Sequence, residues 1–188
     1  SGVLGRPPAS KAAQALAAAG RAAPAEPGFW AQAGRMESMG MRRLMQMRAI
    51  AEAAINVGKK GIQALPEVMV PLVGHVKELA FTKAEMLAEI AQVNQEQGAN
   101  FSCPIGTMIE IPRAAITADQ IAQEADYFSF GTNDLTQMGF GFSRDDSGSF
   151  LPEYVSKKIL EDDPFQSLDQ QGIGELVRIA CEKGRPNT

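Results

Sequence analysis

Hydrophobic positions along the chain change period several times. From Met41, residues Leu44, Met47, Ile50, Ala51, Ala54 and Ile55 fall on one side of a helix, with Arg42, Gln46, Glu52 and Asn56 opposite. Gly58 and Gly61 bracket Lys59-Lys60 and end that pattern. Pro66 to Gly74, PEVMVPLVG, is a short apolar run between prolines and a glycine, which reads as a buried strand. A second helix is predicted from about Val76 to Gln97, with Leu79, Ala80, Leu87 and Ile90 inward. Lys83 interrupts its stripe, and Gly98 stops it. Ile105 to Ile109 is a second strand. Pro112 suits the first turn of a helix carrying Ala115, Ile116, Ile121 and Ala122 to about Ala125. Tyr127 to Phe130 is a third strand, and a short helix is expected after Asp134. A polar loop, Gly141 to Ser149, and a segment with Pro152 and Pro164 precede a last helix. That helix runs from about Gly172 to Lys183 and buries Ile173, Leu176, Val177 and Ala180.

Helices alternating with strands imply an α/β fold with right-handed crossovers and a parallel sheet. In such sheets the chemistry collects at the carboxy ends of the strands. Two carboxylates are expected there. One apolar run ends in Glu110 before Ile111-Pro112 turns the chain. The next, Tyr127-Phe128-Ser129-Phe130, stops at Gly131 and delivers Thr132, Asn133 and Asp134, a hydroxyl, an amide and a carboxylate at one point. Paired carboxylates at successive strand ends suit a hard divalent cation.

Composition narrows the remainder. The chain has 188 residues, 45% hydrophobic and 21% charged, ordinary for a soluble globular protein with one sizeable core. A formal net charge of −4 and the lack of a Lys/Arg block argue against a nucleic-acid partner. No uninterrupted apolar run approaches a membrane span. Cys103 and Cys181 supply neither a disulfide framework nor metal-ligand spacing, and a reducing, cytoplasmic compartment is the default. Residues 1–34 read as a separate low-complexity segment, rich in Ala, Gly and Pro, and disordered; the folded domain is then residues 35–188. Ser1 to Ala25 contains no acidic residue, so a plastid transit segment is the alternative reading. An opening Ser in place of Met suggests a fragment or a processed product.

Two stretches carry a family resemblance. Gly106-Thr107-Met108-Ile109-Glu110-Ile111-Pro112-Arg113-Ala114-Ala115 and Phe128-Ser129-Phe130-Gly131-Thr132-Asn133-Asp134-Leu135-Thr136-Gln137 together resemble the PEP-utilising enzymes. Gly141-Phe142-Ser143-Arg144-Asp145-Asp146, Phe150-Leu151-Pro152 and Asp163-Pro164-Phe165 look like the pyruvate phosphate dikinase branch. Met45-Gln46-Met47-Arg48-Ala49-Ile50 and the Pro66–Gly74 run agree, so the resemblance covers Met45 to about Arg185.

That resemblance implies a (β/α)8 TIM barrel, of which this chain would supply about three parallel strands with their crossover helices. It implies Mg²⁺ held by Glu110 and Asp134, with substrate contacts from Glu110, Gly131, Thr132, Asn133 and Asp134. The implied small-molecule partners are pyruvate and phosphoenolpyruvate (PEP), and the implied full-length parent is a homo-oligomer. Its reaction converts ATP, pyruvate and phosphate to AMP, PEP and diphosphate through Mg-assisted phosphorylation of an enolate. The family's phosphohistidine and its cysteine acid match nothing here. His75, the single histidine, lies at a predicted helix start, and Cys103 and Cys181 read as structural thiols, so no catalytic residue is assigned. By itself this stretch is expected to be inactive. Two other readings stay open: a non-catalytic barrel remnant acting as an interaction module, and a PEP synthase or enzyme I relative. Phe130 and Ser143-Arg144-Asp145-Asp146 disfavour the last.

Overall fold

A computed structural model describes the backbone of residues 27–185 and the side chains of residues 41–185. Of the segment 1–34 expected to be disordered, residues 1–26 lie outside this range and residues 27–34 belong to a helix. The elements are α1 (Pro27–Gly58), β1 (Val68–Val70), α2 (Val76–Gln97), β2 (Ile105–Ile109), α3 (Pro112–Ile116), α4 (Ala118–Ile121), β3 (Phe128–Phe130), α5 (Thr132–Phe140), α6 (Leu151–Ser156) and α7 (Ile173–Gly184), with a 3-10 turn at Ser147–Ser149. The described residues form two compact units, one from residues 27–62 and 84–101, the other from residues 63–83 and 102–185.

The first unit is helical. Helix α1 starts upstream of the Met41 expected from periodicity, with Pro27 at its first position, where a missing N–H is tolerated. Its inward residues Met47, Ala51 and Ile55 are buried, as are Met86, Ile90 and Val93 of α2. Ala99 and Phe101 pack on Ala51, Ile55 and Val93. Leu87, expected inside, is exposed, and Met86 takes the buried place. The buried positions along α2 are Leu79 and Thr82 in the second unit and Met86, Ile90 and Val93 in the first, and the polar Thr82 among them obscures the period. Gly98, with φ of +59°, ends the helix as predicted. Asn94 then closes the turn, donating to the Phe101 carbonyl and accepting from its N–H, each at 2.8 Å. Arg48 gathers Glu52, Glu89 and Glu96 around one guanidinium.

In the second unit β1, β2 and β3 form one open parallel sheet in that order, with β2 central. Val68 pairs with Ile105, and Thr107 with both Val70 and Phe128. Ile105, Gly106, Thr107 and Ile109 of β2 are buried, so a strand covered on both faces reads as a continuous apolar run. Thr107 is the polar exception, and its hydroxyl donates to the Val70 carbonyl at 2.8 Å. Only Val68–Val70 of the Pro66–Gly74 run is strand, because the chain turns at Leu72. The helix expected from Pro112 to Ala125 breaks at Thr117 into α3 and α4. The break resets the period and leaves Ile116 exposed. Lys183 of α7 donates to the Ile116 carbonyl freed there, at 2.6 Å. Helix α5 starts at Thr132, before Asp134 rather than after it. The loop read as polar carries an aromatic cluster, in which the Phe142 ring lies 5.2 Å from Phe140, 5.0 Å from Phe150 and 5.8 Å from Tyr154.

Lys83 explains its own intrusion into the α2 stripe. Its ammonium donates to the Glu124 carbonyl at 2.6 Å and to Asp126 at 2.8 Å. Asp126 in turn accepts the Ile105 N–H at 2.7 Å, anchoring the entry to β2. Burial alone would lift the Asp126 carboxyl, but Lys83 and the Ile105 N–H outweigh it and hold it below the usual range. A depressed carboxyl stabilises the fold above its unfolded pKa, and that contribution disappears as pH falls through the folded value. Lys83→Met is therefore expected to cost about 1 kcal/mol at pH 7, a small figure because Asp126 is 43% exposed and screened. In thermal melts the gap between Lys83→Met and wild type narrows at pH values below the ordinary aspartate range, down to the share owed to the Glu124 carbonyl bond. A gap that does not narrow there rules out a contribution from the ion pair.

Candidate functional site

Parallel pairing brings three chain segments to the same edge of the sheet. Leu72 follows β1, Glu110 directly follows β2, and Gly131 directly follows β3. The Gly131 N–H donates to the Ile109 carbonyl at 3.3 Å, continuing the ladder one step beyond the strands. From Gly131 the chain enters α5, whose buried Leu135 and Thr136 anchor its first turn. The Leu135 N–H bonds the Gly131 carbonyl at 3.0 Å, so the N–H groups of Thr132, Asn133 and Asp134 have no intrahelical acceptor.

Glu110 is the centre of this edge. It is 3% exposed, an unusual burial for a carboxylate. Its Oε1 accepts the Leu72 N–H at 2.6 Å. Its Oε2 fills the space where a side chain on residue 131 would stand, and a β-carbon there would lie 2.7 Å from the Glu110 Cβ. Gly131 has a φ of −87°, so close approach, rather than backbone conformation, is what requires glycine. Burial pushes the Glu110 carboxyl above the usual range; the Leu72 N–H works against this, and the Asp134 carboxylate adds to it through its charge and a shared hydrogen bond. Asp134, in the first turn of α5, thus acts on the Glu110 carboxyl, while Thr132 and Asn133 stand exposed at the start of that helix.

Chemically the pair suits a cation. A buried carboxyl group whose proton affinity a neighbouring carboxylate helps to raise is relieved by a nearby positive charge. Among the described residues no group of three His, Cys, Asp or Glu side chains is placed for a metal ion. A magnesium-type site needs only one or two carboxylates, because substrate oxygens and water complete its shell. Leu72 is the participant that residue types did not reveal. Its φ is +55°, which costs a leucine about 1 kcal/mol, and what it offers is a backbone N–H with no side-chain signature. Arg113 adds a second tie by donating to the Gly74 carbonyl in the turn that carries Leu72.

The other candidates sit elsewhere. His75 is exposed at the start of α2, and its Nδ1 accepts the Lys77 N–H at 3.1 Å. Cys103 and Cys181 are free and half-buried, and burial, helped by Asp126, pushes the Cys103 thiol up, away from a reactive thiolate. Among the described residues no helix is long and apolar enough to cross a membrane.

Sequence comparison places the molecule among known proteins. Residues 34–187 match the family described as PEP-utilising enzyme, PEP-binding domain, and the chain belongs to that family. It is 59% identical over 142 residues to the pyruvate, phosphate dikinase of Clostridium symbiosum, covering 75% of this chain and 16% of that protein. It is 56% identical over 142 residues to the chloroplastic pyruvate, phosphate dikinase of Mesembryanthemum crystallinum, covering 75% of this chain and 15% of that one. With chloroplastic pyruvate, phosphate dikinase 1 of Oryza sativa subsp. japonica the identity is 57% over 142 residues, again 75% and 15%. The chain thus spans 15 to 16% of the length of these curated relatives.

Proposed function

We propose that this chain forms the metal-binding edge of a PEP/pyruvate site in a pyruvate phosphate dikinase-type phosphotransferase. The carrying observation is buried Glu110, held by the Leu72 N–H directly after β2, with Asp134 in the first turn of the helix that follows the neighbouring strand β3. We further infer that the three strands are an arc of a (β/α)8 barrel, since barrels of that kind place their chemistry at this edge.

Glu110 and Asp134 would hold Mg²⁺, which when bound supplies positive charge to offset that of an enolate and a phosphoryl group. Glu110 enters the site fixed by Leu72 and Gly131, so its reorganisation on binding is small. The N–H groups opening α5, with the Thr132 hydroxyl and the Asn133 amide, present donors to an anionic substrate. Gly131 keeps the β3 end free of a side chain, so that Glu110 can lie across it. These residues bind and orient; the proton and phosphoryl carriers of the reaction are not assigned among them. The 188 residues alone are therefore proposed to be inactive, their one histidine being a helix-start residue.

Mn²⁺ titration of the purified chain, followed by the resonance of free Mn²⁺, tests the reading with and without oxalate as an enolate mimic. Wild type is expected to bind Mn²⁺ more tightly in oxalate, and Asp134→Ala to lose about 10-fold or more in affinity. Equal, weak binding by both proteins removes the metal assignment.

A further inference from the structure

We infer that Leu72 is a positioning residue: a left-handed turn after β1 presents its N–H so as to fix one oxygen of Glu110 and leave the other for the metal. The inference rests on the reading of Glu110 and Asp134 as ligands. Its own support is separate, in the backbone of β1's end.

Leucine disfavours positive φ, yet Leu72 holds +55°. Lys158, the other such non-glycine residue among those described, sits just past the end of α6, where helices commonly finish with a left-handed residue. Leu72 ends no helix. Nor does burial of its side chain account for the conformation, because that side chain is 50% exposed. What the conformation secures is the 2.6 Å bond from the Leu72 N–H to Glu110 Oε1. An observed backbone outlier at a buried carboxylate points to a role in holding that carboxylate.

The two Glu110 oxygens consequently differ. Oε1 is occupied by an amide that cannot titrate, and Oε2 lies over Gly131, at the entry to the helix that carries Asp134. Without the Leu72 bond, the carboxylate loses the contact that sets its rotation. Supporting hydrogen bonds of this kind are commonly worth as much to a metal site as a moderate change in a ligand.

Two variants separate the backbone from the side chain. Leu72→Gly keeps the N–H and adopts positive φ freely, whereas Leu72→Val resists it. Mn²⁺ affinity is expected to stay within about twofold of wild type for Gly and to fall about 10-fold for Val. The melting temperature in EDTA is expected to rise for Leu72→Gly, so metal affinity and stability do not move together. A second measurement needs no metal and no Leu72 variant. In amide NMR of the wild-type chain the Leu72 N–H should be protected from exchange and shifted downfield, and Glu110→Ala should remove both signatures. Wild-type Mn²⁺ binding with an equally tight Leu72→Val, or a Leu72 amide that ignores Glu110→Ala, overturns the role of Leu72. Wild-type binding no stronger than that of Asp134→Ala overturns the metal reading itself, and this role with it.

Discussion

Gly106→Ala is expected to lower the unfolding free energy by about 3 kcal/mol, the upper end of what one excess methyl costs in a packed core. Gly106 lies inside the central strand, paired with Met69 of β1. A β-carbon on it would stand 2.6 Å from the Tyr127 carbonyl oxygen and 2.7 Å from carbons of the Tyr127 ring. The ring could rotate aside, but the carbonyl cannot retreat, because it accepts the Thr107 N–H at 3.1 Å and so belongs to the β2–β3 ladder. Relief requires β3 to move away from β2. That motion also separates Glu110 from Gly131, since each directly follows its strand. Urea denaturation gives the measurement, and Gly148→Ala is its control. A β-carbon on Gly148 meets nothing within 4 Å, and its effect is expected within about 0.5 kcal/mol. Equal shifts in the two variants would show that the Tyr127 carbonyl does not constrain residue 106.

Punctuation made some of this fold legible. Helix α2 and strand β2 have the limits the sequence suggested, Val76 to Gln97 and Ile105 to Ile109. Gly98 and Pro112 mark nearby boundaries by restricting or freeing the backbone, whatever surrounds them. Faces were harder to read than limits. Leu87 and Ile116 followed an apolar count, yet both are exposed. In α2 the buried stripe passes through Thr82, and at Thr117 the helix breaks, so each period was followed across a position where it did not hold. Lys83 looked like an error in a stripe because its target, Asp126, lies far along the chain.

The site divides in the same way. Acidic residues at two successive strand ends are visible in a sequence, since strand ends can be located and carboxylates named. Burial, with the Asp134 carboxylate adding to it, raises the Glu110 carboxyl. Leu72 was invisible for a physical reason. It contributes an N–H that every residue but proline carries, in a conformation its own type disfavours. The glycine at 131 was read as a strand terminator, whereas its missing side chain is what admits Glu110. Candidates carried by side chains could thus be named in advance, and contributions carried by backbone or by vacant space could not.

Glu110→Gln is expected to act in opposite directions on the metal-free and the metal-loaded chain. Glutamine retains an oxygen to accept the Leu72 N–H, and it removes a charge that burial disfavours and Asp134 repels. In EDTA at pH 7 the variant should melt above wild type. The Glu110 carboxyl sits above the usual range, so its folded pKa exceeds its unfolded one. Between those values the folded state holds the extra proton, and wild-type stability falls as pH rises, the loss being complete above the folded pKa. The advantage of glutamine is accordingly greatest at neutral pH and above, and shrinks as pH is lowered into the ordinary carboxylate range. Divalent ion reverses the order. At Mn²⁺ one hundredfold above its dissociation constant for wild type, binding linkage adds about 2.7 kcal/mol to the wild-type fold. Glutamine leaves Asp134 as the only carboxylate of the pair and gains almost none of this. Paired melts in EDTA and in Mn²⁺ at pH 5 and pH 7 read both halves. A variant that melts below wild type in EDTA at pH 7 contradicts the charge cost assigned to buried Glu110, and one that Mn²⁺ stabilises as strongly as wild type removes Glu110 from the metal site.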